Sequence, residues 1–187
     1  MSNDREGNVF ERLFRLWAAI CKMIVDGVRD PQMVADALQR IVSMNVYLRR
    51  LFSDIVIGAT DGTETLKGSG VFWGGVYGLE LPAGKPAPVT KATVHEMVLD
   101  GTFRDIFGNL GEGRPKWRNT EQVAKFCDLH RDKLRKDGYG TFFELKGGFV
   151  VYVLFDANGR LKARVHPLGY DNVWRAEHRQ RFVFPQQ

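Results

Sequence analysis

Between residues 141 and 166 the apolar side chains change their spacing from threes and fours to twos, and two glycine turns punctuate the change. Thr141 to Lys146, Phe149 to Phe155 and Arg160 to His166 have strand length, with Gly147-Gly148 and Ala157-Asn158-Gly159 between them. Short period-two runs joined by tight turns restrict the chain to antiparallel hairpins, because side chains alternate between the two faces of a strand. Arg181 to Phe184, stopped by Pro185, predicts a fourth strand after a turn or short helix around Val173 to Ala176. Upstream, Asn119 and Gln122 stand at capping spacing before the stripe Val123, Phe126, Cys127, His130 and Leu134, which Asp137-Gly138 ends. The carboxy-terminal part is therefore expected to be one helix packed on a four-stranded antiparallel sheet.

The amino-terminal part has the other period. Val9, Phe10, Leu13, Phe14, Trp17, Ile20, Cys21, Ile24 and Val25 mark one face of a helix that Gly27 closes. Asp30 as N-cap and Pro31 at the first helical position open a second helix with the stripe Met33, Val34, Ala37, Leu38, Ile41 and Val42. Two such helices joined by a few residues predict an antiparallel hairpin, and its apolar face is a candidate surface for a protein partner. Ile55 to Ile57 reads as a short strand, residues 47–81 otherwise resist assignment, and Thr93 to Leu99 and Phe103 to Phe107 read as short helical segments. The stretch Pro82 to Pro88, rich in locked φ angles, reads as an exposed connection. The expected organisation is a helical lobe over 1–81 and an α+β lobe over 89–187.

Composition narrows the classes of function. With 44% hydrophobic and 26% charged residues among 187, the chain is expected to bury a real core. The longest apolar runs are strand-sized, and the start Met1-Ser2-Asn3-Asp4-Arg5-Glu6 lacks a secretory signal, so a cytoplasmic protein with no membrane association is expected. Cys21 and Cys127 lie on separate apolar helical faces and read as buried thiols. His95, His130, His166 and His178 form no zinc motif. The glycines at 68, 70, 74 and 75 lack the lysine and helix of a phosphate loop, and no Gly-x-Ser-x-Gly elbow occurs. No cofactor is implied.

The most informative segment is Arg160-Leu161-Lys162-Ala163-Arg164-Val165-His166. Alternation places Arg160, Lys162, Arg164 and His166 on one face and Leu161, Ala163 and Val165 on the other. Residues 160 to 181 hold six Lys or Arg, including Arg179 and Arg181, against Asp171 and Glu177, which leaves +4 of the chain's net +5. Clustered guanidinium groups match phosphate oxygens and stay charged, so nucleic acid, RNA before DNA, is the leading ligand. The bland alternative is a solvated strand face whose like charges discourage aggregation. The loop Arg114-Pro115-Lys116-Trp117-Arg118 adds cations around a tryptophan that either stacks a base or anchors the loop to the core. A helix followed by an antiparallel sheet is also the architecture of small ribonucleases of the barnase and toxin type. On that alternative Glu144 acts as base, His166 or His178 as acid, and Arg164 or Arg181 steadies the phosphorane. Binding is the reading preferred over catalysis.

Five segments carry a resemblance: Ala59-Thr60-Asp61-Gly62-Thr63, Asp100-Gly101-Thr102-Phe103 with Ile106-Phe107-Gly108, Gly138-Tyr139-Gly140-Thr141-Phe142-Phe143, Val173-Trp174-Arg175-Ala176-Glu177 and Phe182-Val183-Phe184-Pro185-Gln186. They span most of the chain and resemble an uncharacterised family of short proteins from uncultured, small-genome bacteria. The likeness implies a bacterial, intracellular protein and brings no activity, ligand or catalytic residue with it.

Overall fold

The computed structural model describes residues 3–35, 47–81, 84–111 and 113–186, with side chains from residue 11 onward. The chain divides into two compact units, residues 1–44 and 45–187.

In the first unit, α1 spans Asn3–Val25. Gly27 ends it: at φ +67°, open to glycine at no steric cost, its N–H returns to the Ile24 carbonyl while Val28 N donates to Met23 O. Leu13, Phe14, Leu16 and Trp17 are each more than half exposed. The second helix starts as its cap predicts, with the Asp30 carboxylate accepting from Gln32 N at 2.7 Å and residues 31–35 helical. The rest of its expected stripe, from Ala37 to Val42, lies outside the described residues.

The second unit corrects the expected fold. It is α+β, but its sheet has seven strands and is mixed. The strands are β1 Leu48–Ile57, β2 Val76–Gly78, β3 Thr90–Met97, β4 Gly140–Leu145, β5 Phe149–Phe155, β6 Leu161–Pro167 and β7 Arg181–Pro185. Their order across the sheet is β1-β3-β7-β4-β5-β6-β2. The hairpins β4-β5 and β5-β6 pair antiparallel. The fourth expected strand, β7, does not extend that meander; it lies parallel to β4, between β4 and β3.

Residues 93–97, expected to be helical, belong to β3. Ala92, Thr93 and Val94 are buried in succession, so this interior strand shows no alternation for the eye to find. β1 was visible as Ile55–Ile57 alone because its pairing with β3 slips twice, between Arg50 and Phe52 and between Phe52 and Ile55, with Asp54 at φ 58°. β1 and β3, which flank the expected 82–88 connection in sequence, are hydrogen-bonded neighbours.

Alternate side chains feed two cores, one on each face of the sheet. Ile57, Val94, Phe143, Val151, Val153, Leu161, Ala163 and Val183 point to the face covered by α3, Thr120–Leu129, whose Val123, Phe126 and Cys127 pack there. Met97, Phe142, Val150, Phe182 and Phe184 point to the other face, where α2, Phe103–Gly108, contributes Phe103, Ile106 and Phe107. The N-cap of α3 forms as predicted, Asn119 Oδ1 accepting from Gln122 N at 2.9 Å, while Gln122 Oε1 reaches back to Arg118 N instead of the cap. α3 ends at Leu129, earlier than the expected Asp137-Gly138 stop, and a short 3-10 turn Arg131–Lys133 follows. α2 is only six residues long, and Leu168 and Trp174 pack beside it on this face, while Arg164 of β6 and Tyr77 of β2 stay exposed.

His95 shows what burial on that face does to a titratable group. It sits opposite Arg50 on β1, edge-on to the Phe184 ring at 5.4 Å, with Nε2 3.1 Å from Thr93 Oγ1. Burial, helped by Arg50, lowers its pKa from 6.5 to about 4. The neutral ring is favoured in the fold, so this contribution to stability is whole above pH 6.5 and is lost as pH falls toward 4. After discounting for partial exposure, the expected loss is on the order of 1–2 kcal/mol. Urea unfolding at pH 7 and pH 4.5 checks it: His95→Gln should lose less than wild type, and parallel losses would remove the assignment.

Candidate nucleic-acid interface

The strand that carries the charge has the predicted alternation. In β6, Leu161, Ala163 and Val165 are buried, while Lys162 and His166 are partly exposed and Arg164 is exposed. The registers then assemble a surface that the chain order does not display. Arg164 lies directly opposite Tyr152 of β5 on one side and Tyr77 of β2 on the other. Lys162 lies opposite Leu154, and His166 opposite Val150. Strand partners in register share a face, so Tyr77, Arg164 and Tyr152 form one row continuing into Phe142 and Phe182.

Trp73 extends the surface beyond the strands. The glycine-rich segment before β2 is tied to β6 by Trp73 N donating to Leu161 O at 2.8 Å. The indole carries the Arg160 guanidinium 3.4 Å from its ring centroid and the Lys162 ammonium at 5.5 Å, a cation–π pairing that holds both cations beside an aromatic plane. Trp73 and Tyr77 remain 50% exposed. At the far end Tyr170 stacks on His166, centroids 4.4 Å apart.

The electrostatics favour anions. Arg160 is paired with Asp156 at 3.1 Å, whereas among the described residues neither Lys162 nor Arg164 meets a carboxylate. Burial and the neighbouring Arg164 lower the pKa of His166, so this ring is neutral at neutral pH and offers a stacking plane instead of a charge. Burial raises the Tyr152 phenol, with Arg164 opposing, which keeps its proton in place.

The other candidates go elsewhere. Trp117 is completely buried and its Nε1 donates to Val183 O at 2.9 Å, so it anchors the loop and offers no face to a base. Arg114, Lys116 and Arg118 line a separate cavity that no β6 side chain enters. Arg181 donates through Nη1 to the carbonyls of Lys133 and Leu134, at 2.6 and 3.0 Å, and so holds the end of the 3-10 turn. Arg179 is exposed in a left-handed turn at φ 47°. Glu144 shares a cross-strand row with Val150 and His166, but its carboxylate is fully buried and gripped by Arg114 through two bonds of 2.6 Å. His178 stacks on Tyr139 at 4.5 Å, beyond the opposite end of β4. Glu144, His166 and His178 therefore do not converge.

Trp73, Tyr77, Tyr152 and Tyr170 were not singled out from the sequence. Two of them had a legible signal: the alternation of β5 puts Tyr152 opposite the apolar Val151 and Val153, and Tyr170 follows the basic strand closely. Trp73 and Tyr77 had none, because β2 joins β6 through a parallel pairing of three residues. Among the described residues no cluster of metal-ligating side chains occurs, and no helix is long and apolar enough to cross a membrane. Compared with known protein families, with curated proteins and with solved structures, the chain matches none.

Proposed function

We propose that the protein binds single-stranded nucleic acid, RNA before DNA, on the face formed by β5, β6 and β2. The observation that carries this reading is the alternation of Lys162 and Arg164, cations that meet no carboxylate among the described residues, with the exposed rings of Trp73, Tyr77 and Tyr170 on a single sheet face, beside the half-buried Tyr152. Phosphates meet the cations while unstacked bases lie on the rings, each stacked base contributing about 1–3 kcal/mol. A flat face of this kind accepts splayed bases and does not enter a duplex groove, and unpaired loops and ends are where RNA is ordinarily read. Binding is preferred over cleavage because the carboxylate in the His166 row, Glu144, is buried beneath Arg114.

The test is binding of a fluorescent single-stranded oligonucleotide across a salt series. Two to three phosphate contacts predict a slope of log K against log salt of about −2. Absence of binding at low salt would end the proposal. Trp73→Ala should weaken binding by about tenfold, the equivalent of one lost stack, with little change in the salt slope. An unchanged affinity would remove Trp73 from the interface.

A further inference from the structure

We infer that a second anion site, independent of the sheet-face reading, lies where β4 and β7 both finish and β3 begins, and that it takes a short chain of phosphates. The local sequence explains how the site is built. Residues 113–118 run beside the end of β4, with Trp117 N donating to Glu144 O and Lys146 N donating to Trp117 O, both at 3.0 Å. Trp117 forms a parallel bridge with Leu145. This extended backbone sends alternate side chains in opposite directions: Trp117 enters the core, and Lys116 and Arg118 line a cavity of about 720 Å³. Lys91 from β3, Lys146 after β4 and Arg114 complete its basic lining, with the Gln122 and Gln186 amides beside them.

The charge count selects the ligand. Among the described residues five cations line the cavity. Among the described residues two carboxylates engage them: Glu144 holds Arg114 at 2.6 Å and Lys116 at 3.4 Å, and Asp54 holds Lys91 at 3.0 Å. Five less two leaves three positive charges, and among the described residues Arg118 and Lys146 carry no ion pair. Arg114 is a fixed wall, since its Nη1 also donates to Gly111 O. The volume lies in the range of sites that enclose small molecules. A single phosphate group carries up to two charges and leaves part of this field unmet. A nucleic-acid backbone has one charge per nucleotide and does not concentrate three in such a space. A di- or triphosphate does, and its adjacent oxygens suit lysine ammonium and arginine forks. That chemistry belongs equally to a free nucleoside polyphosphate and to the 5′-polyphosphate end of an RNA.

Calorimetric titration of the full chain with sodium tripolyphosphate at about 50 mM salt, low enough to keep ion contacts strong, tests the site. One saturable binding event is expected, weakened at least tenfold by Arg118→Ala with Lys146→Ala and changed less than twofold by Lys162→Ala with Arg164→Ala. No saturable binding, or equal loss in both pairs, overturns the inference. Should the first pair misfold, amine labelling of wild type decides: tripolyphosphate should slow modification of Lys116 and Lys146 relative to Lys162, and unchanged rates overturn it. Competition then separates the sources. Displacement by a nucleoside triphosphate marks a free nucleotide, and displacement by a 5′-triphosphorylated but not a 5′-hydroxyl oligonucleotide marks an RNA end. If neither displaces tripolyphosphate, the ligand class is wrong and the inference falls, whatever the sheet face binds.

Discussion

Reversing Lys162 and Arg164 together, Lys162→Glu with Arg164→Glu, should weaken binding of a single-stranded oligonucleotide by about a hundredfold or more at low salt. Two phosphate contacts disappear and two repulsive charges replace them, and each lost contact also removes a share of the counterion release that drives association. The fold should be indifferent. Arg164 is exposed and Lys162 partly exposed, neither meets a carboxylate among the described residues, and surface changes of this kind usually stay within about 0.5 kcal/mol. Fluorescence anisotropy across a salt series, paired with urea unfolding, separates the two quantities. An affinity within threefold of wild type, in a variant of unchanged stability, would show that the basic strand is the solvated face of the bland alternative.

Glu144→Ala should lower the unfolding free energy by about 3–5 kcal/mol, the usual cost of leaving one member of a buried ion pair alone. Glu144 is fully buried, and its two oxygens are taken by the Nε and Nη2 of Arg114 while Lys116 stands 3.4 Å away. Arg114 is itself nearly buried, with its guanidinium 5.9 Å from the centre of the Phe107 ring, so without Glu144 a desolvated cation faces an aromatic side chain. Replacing both partners, Glu144→Leu with Arg114→Leu, should recover much of the loss, because an apolar pair carries no desolvation cost. Urea denaturation measures both variants. A loss below about 1 kcal/mol for Glu144→Ala would show that this ion pair is solvated, and the wall of the polyphosphate cavity would lose its support. The same measurement bears on catalysis: a carboxylate whose removal unfolds the protein is a structural anchor before it is a base.

Local physics explains which elements could be read in advance. The hairpins β4-β5 and β5-β6 were legible because their turns are short, β6 alternates, and their partners are adjacent in sequence. The caps Asp30 and Asn119 were legible because a capping side chain and the N–H it receives lie two or three residues apart. β3 was not, because Ala92, Thr93 and Val94 are buried in succession and the adjacent polar residues His95 and Glu96 break its period of two. The parallel pairing of β7 with β4 was hidden for another reason: the contact joins residues about forty positions apart, and no local pattern distinguishes it from a fourth meander strand.

The candidate site divides the same way. The exposure of Lys162 and Arg164 follows from a two-residue period, a property that any strand imposes on its own side chains whatever stands beside it. The aromatic rings beside those cations arrive through strand order, which sets Tyr152 and Tyr77 on either side of Arg164 and brings Trp73 under Arg160. What the sequence determined by itself was therefore the capped helix starts, the two hairpins and the direction of their side chains, since backbone geometry, capping and turns act over a few residues. Which elements became neighbours was decided by the tertiary structure, because strand pairing and burial depend on the competition among all segments for a limited apolar interior, and that competition has no local signature.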